Sequence, residues 1–477
     1  MAVMVPRGPA GYVERVAAWR RSEFFGLLRL AGPLVLAQLA QNGLGFVDTL
    51  MVGRLGPGAL AAMALGATTF FTTSIVTSSV LFSVGPLVAQ AVGAGRRDEA
   101  GQVASQALWL ALVFSVPGLV VFNTIGPLLA GLGLEPETAR LAAGYLRAIS
   151  FGYPFYLAFQ ALRGFLEGNG DAKPIMVIAF LGVALNVGLC EVLIFGHLGF
   201  PALGVVGTGF ATATVYGVMF ALVLLLVSWR YPERRVVAGM RRLRPDLMRE
   251  VVRVGWPIGM TTGLEVGLFS VSALLMGRFG DDVLAAHQVA MQSASMTFMI
   301  PLGMAIATGV LVGQAAGRGD GPAVRRTGFM GLTVAVAAMA LAALLFRFAP
   351  RLVIGLYTDV AEPANEAMVA VAVAFLSIAA LFQLFDGVQV TAVGALRGLK
   401  DTRVPMLYTL VSYWLVGMPL GLALAFWAGV GPRGLWFGMV AGLATSAVLM
   451  TTRFARRTRP APAGPGELLP ARQGAVR

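Results

Sequence analysis

Twelve apolar runs of about 20 residues recur along this chain, each long enough to cross a hydrocarbon core about 30 Å thick. They fall at 28–52, 58–88, 104–129, 140–164, 174–196, 203–229, 251–277, 283–312, 327–352, 364–394, 405–428 and 434–454. Backbone in lipid must satisfy its own hydrogen bonds, and runs of this length do so as helices. The expectation is therefore an all-α polytopic membrane protein. Only 12% of the residues are charged, roughly half the share of a soluble domain, which excludes an ordinary cytosolic enzyme.

A net charge of +13 raises the question of nucleic acid. With the N-terminus placed inside and the loops alternating, 29 of the 36 Lys/Arg fall on the inner side. This is the positive-inside bias, and it predicts a bacterial plasma (inner) membrane protein with both termini cytoplasmic. A nucleic-acid groove would gather the cations on one face among stacking aromatics. Here they are spread over seven loops and tails, so no nucleic acid is expected. Residues 1–27 lack a short apolar core with a cleavage site and read as a cytosolic lead-in helix. Residues 455–477 read as a disordered basic tail. Cys190 is the single cysteine, and His197 and His287 are isolated, so neither a disulfide nor a resident metal or other cofactor is expected.

The stretch 230–250 is rich in Arg and divides the helices six and six, giving one half over 28–229 and a second over 251–454. A shift of 224 residues, without a gap, brings Pro33 onto Pro257, Gly53-Arg54 onto Gly277-Arg278, Leu60-Ala61-Ala62 onto Leu284-Ala285-Ala286, and Gln90 onto Gln314. Further on, Arg163-Gly164 with Asp171 pairs with Arg397-Gly398 and Asp401, with a length change expected inside that loop. Six helices per half is an even number, so the repeat is parallel. Repeats of this kind build secondary transporters that rock one bundle against the other.

Four carboxylates, Asp48, Glu191, Glu265 and Asp386, interrupt the apolar runs. A charge at bilayer depth costs at least a few kcal/mol and marks an ion, proton or substrate path. At 1.5 Å per residue, Glu265 and Asp386 lie roughly 16–18 Å from the inner flank, near the midplane of the second half. Two close carboxylates share a proton or hold a cation between them, so Na⁺ is a candidate there. Asp48 and Glu191 lie roughly 27–28 Å from the inner flank. Asn186 shares a helix with Glu191 but points about 140° away, and Thr208 opens the next helix. Gln41 lies on one helix face with Gln38 and Asp48; Phe269 shares the face of Glu265; Gln383 lies three residues from Asp386; Gln288 pairs with Gln292. These amides either line a path or tie helices together. Every deep charge in this reading is acidic, which favours cationic substrates.

With those residues in place, the chain resembles the multidrug and toxic compound extrusion (MATE) family, nearest its NorM-like subgroup. The carriers are Phe46-Val47-Asp48-Thr49 with Met51-Val52-Gly53, Glu265, Ala286-His287-Gln288, Phe382-Gln383 with Asp386-Gly387-Val388-Gln389, and Leu396-Arg397-Gly398-Leu399-Lys400-Asp401-Thr402. The resemblance implies twelve helices in two lobes and a monomeric antiporter, expelling amphipathic cationic compounds in exchange for Na⁺ or H⁺. It implies a second-lobe cation site at Glu265 and Asp386, a first-lobe site at Asp48, Asn186 and Thr208, and a substrate cavity near Gln41, Phe269, Gln288 and Gln383. Phe382 stands where some relatives carry a tyrosine, and Cys190 where relatives carry Asn or Asp. The alternative is a lipid-linked oligosaccharide or peptidoglycan-precursor flippase of the same superfamily, which would need a cationic cavity.

Overall fold

The computed structural model describes residues 9–131, 135–234 and 236–459. The first half contains α1 (Pro9–Gly53), α2 (Pro57–Leu81), α3 (Val84–Gly93), α4 (Arg97–Thr124), α5 (Gly126–Gly131), α6 (Pro136–Ser150), α7 (Tyr153–Gly168), α8 (Lys173–Phe195) and α9 (Val205–Arg230). A short α10 (Val236–Gly239) lies in the linker. The second half contains α11 (Pro245–Met276), α12 (Asp281–Gly317), α13 (Gly321–Phe348), α14 (Pro350–Ile354), α15 (Glu366–Gly398), α16 (Arg403–Leu410), α17 (Met418–Leu422) and α18 (Pro432–Arg457), with π-helical turns at Val411–Gly417 and Ala423–Trp427.

Among the described residues, eleven stretches are individually long and apolar enough to span a membrane. The remaining run, expected over 140–164, is divided between α6 and α7 by a turn at Phe151-Gly152, just before Pro154. Gly152 packs against the Ala213 backbone, where a side chain would not fit. Starts and stops follow the local chemistry. Proline opens α2, α6, α11 and α18, where its missing N–H costs nothing. Asp320 caps α13 by accepting from the Ala323 amide at 2.9 Å. The lead-in is continuous with the first span in α1, from Pro9 onward. Helix α18 runs to Arg457, so the expected tail is helical over its first residues; from 460 onward it lies outside the described residues.

The repeat is visible in the backbone and corrects its expected register. Helices α4 and α13 are both 28 residues long and are related by the 224 shift. Helix α6 begins at Pro136 and α15 at Glu366, a shift of 230. The six-residue length change therefore lies in the loop before these helices, not after Arg163. Glycine contacts fix the new register. Gly164 and Gly168 pack on the Gly85 backbone as Gly394 and Gly398 pack on that of Gly309. Left-handed Gly170 (φ +80) corresponds to left-handed Lys400 (φ 58). Arg163 thus matches Val393, and Glu167 matches Arg397.

A repeated ion pair ties the loop after each of these helices to the last helix of its half. Arg230 Nε meets Asp171 at 2.9 Å, and Arg457 Nε meets Asp401 at 3.3 Å. Each pair joins the end of a 26-residue helix to the equivalent loop aspartate.

The halves meet through α1 against α12 and α2 against α11. At the end of the molecule carrying most of the arginines, two glutamines cross between halves. Gln90 Nε2 donates to the Gly398 carbonyl at 2.7 Å, and Gln314 Nε2 donates to the Gly168 carbonyl at 3.0 Å. Beside them Gly93 abuts the Gln314 backbone and Gly317 that of Gln90, so neither position has room for a side chain. The linker is docked as well: Gln106 and Trp109 of α4 donate to the Arg242 and Met240 carbonyls at 3.0 and 2.9 Å.

Candidate functional site

In the first half, α1, α8 and α9 converge on Asp48. Oδ1 accepts from Asn186 Nδ2 at 2.9 Å, and Oδ2 from Thr212 Oγ1 at 2.9 Å. Cys190 Sγ lies 3.5 Å from Oδ1 and 3.2 Å from Asn186 Oδ1. All four side chains are buried. The three partners are uncharged, so they orient the carboxyl without neutralising it. A buried carboxylate lacking a counter-charge is costly, and binding a proton or a cation relieves that cost.

Asp48 and Asn186, paired by the sequence reading, are therefore in contact. Thr208 is one turn away from the contact made by Thr212; its buried hydroxyl has no partner among the described residues. Thr212 and Cys190 complete the cluster. Glu191 points elsewhere, half exposed, 3.7 Å from both Arg54 and His197.

In the second half, Asp386 on α15 is buried. Glu265 on α11 is partly buried and accepts from Tyr413 Oη at 3.4 Å. The two carboxyls and the tyrosine lie within electrostatic range of one another, and Arg397 lies within range of Glu265. Tyr413 sits in the first π-helical turn, whose wider winding changes the direction of the side chains that follow. Trp414 anchors that turn by donating to the Leu264 carbonyl at 3.1 Å. Oxygens of Gln383, Gln389 and Ser412 in this half are buried with no protein partner among the described residues. Such groups normally meet water or an ion.

The residues expected around a substrate cavity have varied surroundings. Gln383 Nε2 is bonded to Thr297. Phe269 packs near Phe382, with ring centroids 6.0 Å apart, and Gln288 is exposed. Gln41 belongs to a polar hub around Arg163, a residue buried to 6% exposure. Arg163 donates to Glu167 at 2.7 Å, to Gln41 at 2.7 Å and to Gln38. The expectation that every deep charge is acidic is thereby corrected. Helix α7 continues to Gly168, which carries Arg163 more than a turn inside the helix end.

Replacing Tyr413 by Phe removes the hydroxyl that Tyr413 donates to Glu265. The expected result is about a fivefold change in the cation concentration giving half-maximal transport, the factor of roughly 1 kcal/mol for one hydrogen bond. An unchanged value in flux measurements would remove Tyr413 from the site.

These features define a class: an all-helical, multi-pass membrane protein of two repeated lobes, with acidic groups buried in each. The MatE family profile matches residues 33–192 and 257–423. The chain is 45% identical over 439 residues to a probable multidrug resistance protein NorM of Deinococcus radiodurans, covering 92% of this chain and 96% of the relative. It is 42% identical over 439 residues to a protein of the same description from Pseudomonas aeruginosa, covering 91% and 90%. Among solved structures, the eukaryotic MATE transporter AtDTX14 superposes with a TM-score of 0.79 at 20% identity, over 92% of this chain and 98% of that one. An outward-facing multidrug resistance MATE family transporter gives 0.81 at 21% identity, covering 91% and 96%. The chain belongs to the MatE family, and is a transporter rather than an enzyme.

Proposed function

We propose that this protein is a secondary antiporter that exports amphipathic cationic compounds from the cytoplasm in exchange for Na⁺ or H⁺. The observation that carries the reading is the pair of acidic sites, Asp48 among three neutral partners in one lobe and Glu265 with Asp386 in the other. Each gains from binding one positive charge. Competition between the coupling ion and a cationic substrate for that negative charge gives exchange without a separate relay. The kinship with NorM multidrug resistance proteins supports the same direction.

The basic end is taken as cytoplasmic, by the positive-inside rule. The Gln90 and Gln314 bonds then seal the cytoplasmic side and must break for substrate to enter from within. Replacing both glutamines by Ala should populate states open at that end. Spin labels at Arg97→Cys and Gly321→Cys, equivalent exposed sites in the two lobes, would report longer separations. An unchanged distance distribution would show that the glutamines do not hold the seal.

The fold alone does not separate drug export from lipid-precursor flipping. A Pyrococcus furiosus MOP superfamily transporter, described as having a pocket of reverse polarity that suggests a different function, has the same fold at a TM-score of 0.80 and 22% identity, covering 91% of this chain and 96% of that one. The buried Arg163 is neutralised by Glu167, whereas among the described residues no cationic side chain forms a salt bridge with Asp48 or Asp386; this favours cations. Expression in an efflux-deficient bacterium should raise tolerance to ethidium and other lipophilic cations but not to anionic amphiphiles. Equal protection against both would remove the cationic preference.

A further inference from the structure

The two equivalent helices α9 and α18 share one arginine that their ion pairs require, Arg230 or Arg457. In its last two turns helix α18 carries two more, Arg453 and Arg456. In the 227-residue register set by these helices, Arg453 and Arg456 stand where α9 has Leu226 and Trp229, and Thr452 stands where it has Leu225. On α9 this surface is apolar, with Leu225 and Trp229 strongly exposed, as a lipid-facing surface should be. On α18 the same surface opens into a cavity of about 400 Å³. Val448 and Leu449 form its apolar part; Thr452, Tyr408 and the three arginines form its polar part.

The repeat is an internal control. The fold is built at α9 without these polar residues, so the extra arginines answer to something other than the aspartate latch. Asp401 accepts from Arg453 Nε and Nη2 at 2.7 and 3.2 Å and from Arg457 Nε at 3.3 Å. It holds two guanidiniums in place while cancelling one charge of three, which leaves the cavity with an excess of two. Arg456 is exposed, with no ion pair found for it among the described residues. Arg453 keeps its second terminal nitrogen, Nη1, out of the aspartate contact. Ordered guanidiniums beside hydroxyls suit phosphate oxygens. Val448 lies eight residues before Arg456, roughly 12 Å along the helix, so the apolar wall reaches toward the acyl region while the arginines sit at headgroup level.

We infer that this cavity, between α16 and α18 at the basic end, binds the phosphodiester headgroup of an anionic glycerophospholipid, with the upper acyl chain along Val448 and Leu449. Basic pockets between helices on the cytoplasmic side are suited to such headgroups. The site lies on the outer surface of the second lobe, apart from the carboxylates proposed for transport.

The test is native mass spectrometry of the purified full chain, delipidated and then incubated with phosphatidylglycerol or phosphatidylcholine. Wild type should retain phosphatidylglycerol in clear excess. Arg456→Gln should lower that retention by about fivefold, the worth of one cation beside an anionic headgroup. Arg453→Leu, which copies α9, should lower it further if the variant folds; Arg456→Gln carries the test if it does not. Arg318→Gln, an exposed arginine of the basic end outside the cavity, should leave retention unchanged. Equal retention of the two lipids, or equal losses in Arg456→Gln and Arg318→Gln, would overturn the site in favour of diffuse surface charge. Inorganic phosphate and glycerol 3-phosphate form a separate arm. If either binds in an Arg456-dependent way as tightly as the lipid, the ligand is a soluble phosphate and the lipid assignment fails.

Discussion

Asp48→Asn is expected to abolish coupled export while leaving insertion and folding intact. The substitution keeps the size of the side chain and its place among Asn186, Cys190 and Thr212. It converts one acceptor oxygen into a donor, which a rotated Asn186 amide or Thr212 hydroxyl can accommodate by accepting instead. Structure is therefore retained at modest cost. What is lost is the ability to take up a proton or balance a cation. Export should fall at least about tenfold, which corresponds to roughly 1.4 kcal/mol and is a lower bound for a group whose charge drives the cycle. Drug tolerance and dye efflux at matched membrane abundance read the effect. Normal tolerance would leave Asp48 a purely structural anchor of α1, α8 and α9.

Glu265→Gln and Asp386→Asn are expected to be equally severe, and to fail together. Two carboxyls that sense each other titrate as a pair, and a cation held between them needs both. Each single variant should lose most of its ion-coupled export, and the double variant should be little worse than either. In a double-mutant cycle the losses should be strongly non-additive. Independent, multiplicative losses, with each single variant still well coupled, would separate the two acids.

Costly features were legible in the sequence and cheap ones were not. The apolar runs and the parallel repeat could be read directly, because spanning lipid demands long stretches without charge. Asp48, Glu265 and Asp386 stood out because a carboxyl is expensive there. Thr212 did not, since a threonine hydroxyl on a membrane helix can return to its own backbone, as Thr214 does toward Phe210 at 2.8 Å. Thr208 and Thr212 are one turn apart on the same face, and helix phase alone does not choose between them. Tyr413 lies in a π-helical turn, where the ordinary 3.6-residue phase no longer gives direction. Arg163 looked like a loop residue because the apolar run ends there; the helix continues beyond it to Gly168, and Glu167 compensates its charge. The repeat register slipped because matching Arg163-Gly164 to Arg397-Gly398 pairs identical letters, while the glycine contacts with Gly85 and Gly309 pair equivalent positions.

The central claim is that cation entry drives substrate export through these carboxylates. It is tested most directly by purified protein in liposomes, with a Na⁺ gradient and a pH gradient imposed separately on ethidium-loaded vesicles. At least one inwardly directed gradient should drive ethidium out against its own gradient in wild type. The same gradient should fail to do so in Glu265→Gln and Asp386→Asn. Ethidium movement that ignores both gradients, or that both variants support at the wild-type rate, would contradict the claim.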